Sequence, residues 1–267
     1  MTSAYSLDSY RLIIREALAS GYTFAPFSLD QTPHGKRIYL RHDVDYSLEM
    51  ALKLAGVNRE LGVQGTFCIL LRSQIYNLLS ELSLDIVARI HGLGQHIGLH
   101  FPLTSALLDN DGLLDTRLKA DFEFAQGNLP MISPLFSWHN PTPEGLERYV
   151  TCPGKAGLVN TYSAQFFRNI AYYSDSNLRH SVEAFMRFMG SDQPAVIQLV
   201  LHPLNWVAGG TSMGDVFSRT WPYIIREREH EIRLNRFYAK ALPDGMPEGV
   251  LQGFAEQWYL ATQPKKR

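Results

Sequence analysis

The chain has 267 residues, 45% of them hydrophobic and 12% aromatic, enough to bury a large core as one domain of the barrel or doubly wound kind. Its 25 basic and 26 acidic residues leave a net charge of -1 and are spread along the sequence, so nothing argues for a nucleic-acid or anionic-membrane partner. Apolar runs such as Ala195 to Leu201 fall far short of the roughly 20 residues of a membrane span, and Cys68 and Cys152 are too few for a disulfide framework or a thiolate zinc site.

The first residues, Met1 to Asp8, lack the basic and apolar regions of a secretory signal, which leads to the expectation of a soluble, cytoplasmic protein. Leu7 to Ser20 carries Leu12, Ile13, Ile14, Ala17 and Leu18 at helical spacing and stops at Gly21. Arg37 to Asp43 is the first predicted strand. Ser47 caps a helix over 48–61 that Gly62 closes. Gly65 to Leu71 is a buried strand, Asp85 to His91 a helix ended by Gly92 and Gly94, and His96 to Phe101 a third strand.

Leu114 to Ala125 is helical, Ile132 to Trp138 is extended, and a turn at Asn140-Pro141-Thr142-Pro143 leads into a helix with proline in its first turn. Strand-like pieces return at Gly157 to Tyr162, Ile170 to Ser174 and Ala195 to Leu201, with a helix at Arg179 to Met189. A long helical stretch follows from Asp215 to Ala241, and Val250, Leu251, Phe254, Trp258 and Leu260 extend an apolar pattern to packing on the barrel or a dimer face. Strands alternating with helices predict an α/β fold, a closed or nearly closed barrel of about seven parallel strands formed by residues 1–267 as a single domain.

In such a fold, chemistry collects at the C-terminal ends of strands. Four of the nine histidines fall there: His42, His100, His139 and His202. The densest cluster is Arg41-His42-Asp43-Val44-Asp45. Burying two acids and a histidine together is costly unless a cation or an arginine compensates. Strand alternation sets Asp43 and Asp45 on one face and His42 on the other. His96 and His100 also share a face, but four residues of strand hold them roughly 13 Å apart. His100 is therefore kept as a ligand, and His96 is read as a core or supporting residue. Trp138 and Trp206 are candidate walls of a cleft that stack on a sugar face.

These motifs, in order, resemble a family. Arg41-His42-Asp43-Val44-Asp45, Gly65-Thr66-Phe67, Gly94 to His100, Ser137-Trp138-His139-Asn140-Pro141, Ser174-Asp175-Ser176 with Arg179, and Leu201-His202-Pro203 look like the polysaccharide deacetylase (NodB-like, carbohydrate esterase 4) superfamily. The likeness runs from about Tyr22 to Trp206 and is nearest the branch with an HDVD first motif, associated with bacterial surface polysaccharide and O-antigen synthesis. It implies a distorted (β/α) barrel and a divalent metal, usually zinc, that activates water to remove an N-acetyl group from an amino sugar or saccharide substrate.

Carried onto this chain, the resemblance makes Asp43 the general base and Asp45 a metal ligand, with His100 as the first metal histidine. The family's second histidine falls on Thr104, so His139 is the substitute ligand, with His42 behind it. His202 matches the general acid, and Asp175 and Arg179 match the motif that tunes the catalytic pair. Arg41 or Arg179 holds Asp43 ionised; Arg41, Trp138, Asn140 and Trp206 are the substrate-contacting candidates. A hydrolase of a non-sugar amide or cyclic imide, and a metal-free carbohydrate-binding homologue, stay open beside this reading.

Overall fold

The computed structural model describes residues 4–29, 35–190, 194–246 and Gly253. The apolar C-terminal positions Val250, Leu251, Phe254, Trp258 and Leu260 lie outside the described residues. Among the described residues, nine strands form one sheet: β1 Thr23–Phe24, β2 Arg37–Val44, β3 Thr66–Leu70, β4 His96–Pro102, β5 Ile132–His139, β6 Gly154–Lys155, β7 Leu158–Asn160, β8 Ala171–Ser174 and β9 Val196–Val200. Their order is β6-β7-β5-β4-β3-β2-β9-β8, with β1 beside β2. Only β6 with β7 is antiparallel, so the seven strands from β7 to β8 run parallel.

Parallel neighbours need crossover connections. The helices Leu48–Glu60, Glu81–Gly92 and Asp111–Asn128 supply those between β2, β3, β4 and β5. Alternate strand residues then separate two apolar layers. Ile38, Leu40, Phe67, Ile69, Ile97, Leu99, Phe136, Ile197 and Leu199 face outward into one large core with Leu54, Val87 and Leu118 of those helices. Tyr39, Cys68, Leu135 and Phe166 form a smaller interior cluster. Gly98 belongs to this interior, where a Cβ would lie 2.3 Å from Leu135 Cδ1.

The sheet is curled into a half-barrel. Arg41 on β2 donates from Nη1 to Thr161 Oγ1, just past β7, at 3.1 Å. Those two strands stand four strand spacings apart, which in a flat sheet is roughly 19 Å. Gln198 on β9 donates from Nε2 to the carbonyls of Thr161 and Phe166 at 2.9 and 2.5 Å. Side chains and the segment 161–166 therefore span the gap that strand pairing leaves between β7 and β8. The predicted strand Gly157 to Tyr162 is short for this reason: Thr161 and Tyr162 leave the ladder to make these cross-barrel contacts.

Other differences have local causes. The long helix expected from Asp215 to Ala241 is two helices, Met213–Ile232 and Arg236–Ala241, because Asn235 turns back to accept from the Phe237 N–H. The expected helix from Arg179 starts at Val182, where Ser181 caps it, and a short turn with Asn177 and Leu178 at positive φ comes before. Met213–Ile232 packs on the barrel through Val216 against Met50 and Leu204. Among the described residues, no helix is long and apolar enough to cross a membrane.

Candidate active site

The C-terminal ends of β2, β4, β5 and β9 open into one cleft of about 510 Å³, lined by Asp45, Tyr46, His139, Asn140, His202 and Phe217 among others. Asp45 lies one residue past β2 and turns into this cleft, while Asp43, on the same face of the strand, stays buried beneath it.

Three side chains from three chain segments converge at the floor. Asp45 Oδ1 lies 3.3 Å from His100 Nε2 and 3.1 Å from His139 Nδ1, and the two imidazole nitrogens are 3.1 Å apart. All the facing ligand atoms lie within 4.8 Å of one another. The ring nitrogens are not aligned as donors, so the buried Asp45 Oδ1 has no hydrogen-bond partner. Burial alone would raise the Asp45 carboxyl, but the two imidazoles hold it well below the usual range. Such a convergence of one carboxylate oxygen and two imidazole nitrogens, with an unsatisfied oxygen among them, fits a divalent cation. Each imidazole is also held from behind. His100 Nδ1 is 2.6 Å from Ser137 Oγ, and His139 Nε2 is 3.1 Å from the Asn140 side-chain amide.

Beneath this cluster, Arg41 Nη2 donates to Asp43 Oδ2 at 3.0 Å. The guanidinium is fully buried and also reaches Gln198 Oε1 at 2.8 Å and Tyr162 Oη at 2.7 Å. Burial would raise the Asp43 carboxyl, yet Arg41 first and His100 and His202 after it outweigh that and hold it below its ordinary value. Asp43 Oδ2 is 4.0 Å from His100 Nε2.

On the other side stands His202, which ends the β9 segment as the N-cap of the short helix Pro203–Val207. Its Nδ1 is 2.5 Å from Asp175 Oδ1, and its Nε2 is 3.9 Å from Asp45 Oδ2. Asp175 has no exposed surface, and its Oδ2 accepts from Trp206 Nε1 at 2.7 Å. Burial would lower the His202 pKa, but the Asp175 charge and hydrogen bond raise it to about 9. His202 therefore carries a proton at neutral pH, with Nε2 toward the cleft.

Several expected contacts do not form. Trp138 does not wall the cleft: it is buried on the outer face of β5 among Phe101, Phe136 and Tyr149. Trp206 is likewise buried, and its polar edge serves Asp175 instead of a ligand. Arg41 is sealed in the interior, where it pairs Asp43 and cannot touch a substrate. Arg179 is exposed and donates Nε to the Ser176 carbonyl, so of the two arginines it is Arg41 that pairs with Asp43. His42 faces the opposite layer, bonded to the Leu201 carbonyl and Asn58, and burial pushes its pKa down to about 4. Thr104 is exposed beyond the end of β4 and is not part of the cluster. Asn140, at φ 47, does line the cleft.

Sequence reasoning missed Ser137, Thr161, Tyr162 and Gln198. Ser137 was within reach of strand alternation, since it lies two residues before His139 and shares its face. The other three act across the barrel, and only its curl brings them to Arg41.

No family model and no curated relative matches the chain. Among solved structures it is similar to the Streptococcus pyogenes deacetylase PplD in complex with acetate, at 12% identity and a TM-score of 0.41, over 74% of this chain and 84% of that one. It is also similar to a mutant of BA3943, a CE4 family pseudoenzyme with restored enzymatic activity, at 12% identity and a TM-score of 0.40, over 73% of this chain and 65% of that one.

Proposed function

We propose that the chain is a polysaccharide deacetylase-like hydrolase that removes an N-acyl group, an acetyl above all, from an amino sugar in bacterial surface polysaccharide (O-antigen type) synthesis. The observation that carries this reading is the meeting of Asp45, His100 and His139 within hydrogen-bond distances of one another, with Asp43 on one side and His202 on the other. The order of motifs from Arg41 to Pro203 supports the family, and a cleft lined by Ser73, Gln74, Asn140, Ser176 and Asn177 beside the Tyr46–Phe217 aromatic pair suits a hydroxyl-rich ligand.

Asp45, His100 and His139 would hold the metal, and one carboxylate with two imidazoles suits zinc. When bound, zinc lowers the pKa of water and polarises the acyl oxygen. Asp43, kept ionised by Arg41, takes the proton of the attacking water. His202, kept charged by Asp175, gives its proton to the amide nitrogen as the C–N bond breaks, because that nitrogen cannot leave as an anion. Water oxygen ends on the acyl carbon, and the products are a carboxylic acid and an amine.

The test is a screen of N-acetylated amino sugars and nucleotide sugars with amine detection, run beside metal analysis of Asp45→Ala and His100→Ala. Both variants should lose bound metal and turnover together. Metal content equal to that of the parent chain would sink the ligand assignment.

A further inference from the structure

We propose that Ser137 is a positioning residue that joins His100 to Asp43 by one directed hydrogen-bond chain and so selects the His100 tautomer able to bind a cation. The inference rests on the metal-hydrolase reading and deepens it. Ser137 has no exposed surface. Its Oγ lies 2.6 Å from His100 Nδ1 and 3.3 Å from Asp43 Oδ1.

The direction of the chain follows from a count of hydrogens. A serine hydroxyl has one to give, and a carboxylate paired with arginine only accepts. Asp43 is so paired, at 3.0 Å from Arg41. The Ser137 hydrogen therefore points to Asp43, and its lone pairs are left for His100. His100 Nδ1 must then carry a hydrogen to make its 2.6 Å contact, which in the neutral ring leaves Nε2 with a bare lone pair. That nitrogen is the one facing Asp45 and His139. The chain runs from His100 Nδ1–H to Ser137 Oγ–H to Asp43 Oδ1.

Without the hydroxyl, Nδ1 has no acceptor. The proton is then free to move to Nε2, drawn by the charge of the Asp45 carboxylate 3.3 Å away, and the lone pair needed for a cation is lost. Partners of this kind behind a ligand histidine are worth about 10- to 100-fold in metal affinity. Cys68 is a further hydrogen-bond neighbour of Ser137; burial pushes its thiol up to about 12, so it keeps its own hydrogen, which the second lone pair of Ser137 Oγ can accept, and the serine hydrogen stays with the Asp43 carboxylate. Packing alone would be met by any small residue there.

Calorimetric titration of the full chain with Zn²⁺ tests the proposal in Ser137→Ala, which nearly preserves volume, in the larger Ser137→Cys, which keeps only a weak donor and acceptor, and in Asp45→Ala. Affinity should fall about 10- to 100-fold in Ser137→Ala and in the same direction in Ser137→Cys, and should vanish in Asp45→Ala. Long-range ¹H–¹⁵N correlation of the metal-free chain should show His100 protonated at Nδ1, with that preference lost in Ser137→Ala. Parental affinity in a folded Ser137 variant, with binding lost in Asp45→Ala, would overturn the role of Ser137 and leave the metal reading standing. A parent chain that binds no Zn²⁺, or an Asp45→Ala that binds it as well, overturns both. If Ser137→Ala does not fold, Ser137→Cys decides; a parent His100 protonated at Nε2 overturns the tautomer argument directly.

Discussion

His202 Nδ1 lies 2.5 Å from Oδ1 of Asp175, and this contact decides the charge of the imidazole. Burial favours the neutral ring, but Asp175 raises its pKa to about 9. A reaction that needs the imidazolium should lose rate as pH rises through about 9. Asp175→Asn should move that alkaline limb of kcat/KM down by a unit or more, toward the ordinary histidine value, and cut kcat/KM at pH 8 by up to about 30-fold as the imidazolium fraction falls. An unmoved limb in Asp175→Asn would remove His202 as the acid. The same contact stabilises the fold with a definite sign. A histidine raised on folding contributes fully below its unfolded pKa, near 6.5, and the contribution is lost as pH rises through about 9.

Arg41 and Asp43 form a pair with almost no exposed surface. Arg41→Met leaves a carboxylate buried without its partner and should cost about 3–5 kcal/mol in urea unfolding. Asp43→Asn in the same chain should recover part of that loss, giving a coupling term in a double-mutant cycle. A cost below about 1 kcal/mol for Arg41→Met would show that the pair does not hold this interior together.

Gly98 leaves no room for a side chain in the barrel interior, with Leu135 Cδ1 at 2.3 Å and Cys68 Sγ at 3.3 Å from a Cβ built there. Gly98→Ala should destabilise the fold by about 1–3 kcal/mol. Adding Leu135→Ala should cost less in the Gly98→Ala background than alone, since it removes the closest clash. Thermal midpoints of the four chains check this.

Glu227, on the helix Met213–Ile232, is buried against Ser47, to which it is hydrogen-bonded, and burial raises its pKa to about 7. The folded chain therefore binds a proton that the unfolded chain releases between its ordinary value of 4.5 and about 7. Stability should fall as pH rises through that window. Glu227→Gln should flatten the fall, with a gain on the order of 2 kcal/mol at pH 8 relative to pH 4.5. Parallel stability curves for the two chains across pH 4 to 8 would contradict it.

Much of the candidate site was legible in the sequence. Asp45, His100, His139 and His202 each stand where an apolar run gives way to a proline or turn residue, and parallel α/β order sends such ends to one rim. Trp138 was legible too: once His139 faces inward, alternation turns Trp138 outward, and its aromatic bulk joins the core of that layer. Arg179 was not, because a short turn with Asn177 and Leu178 at positive φ carries it to the surface, and no periodicity announces such a turn.

By itself, the sequence determined the main parallel strands, the face each of their side chains takes and most of the residues that end them, because alternation and turn chemistry act over a few neighbours; the early end of β7 and the two-residue strands β1 and β6 were not among them. Tertiary structure alone decided that Asp45 and His139 meet at 3.1 Å, although β3 and β4 stand between their strands. It also decided that Arg41, not Arg179, faces Asp43. Both depend on how far the sheet curls. That curl is set by the summed twist of the parallel strands from β7 to β8 and by what fits inside them, at Gly98, Gln198 and Thr161, and no local pattern contains it.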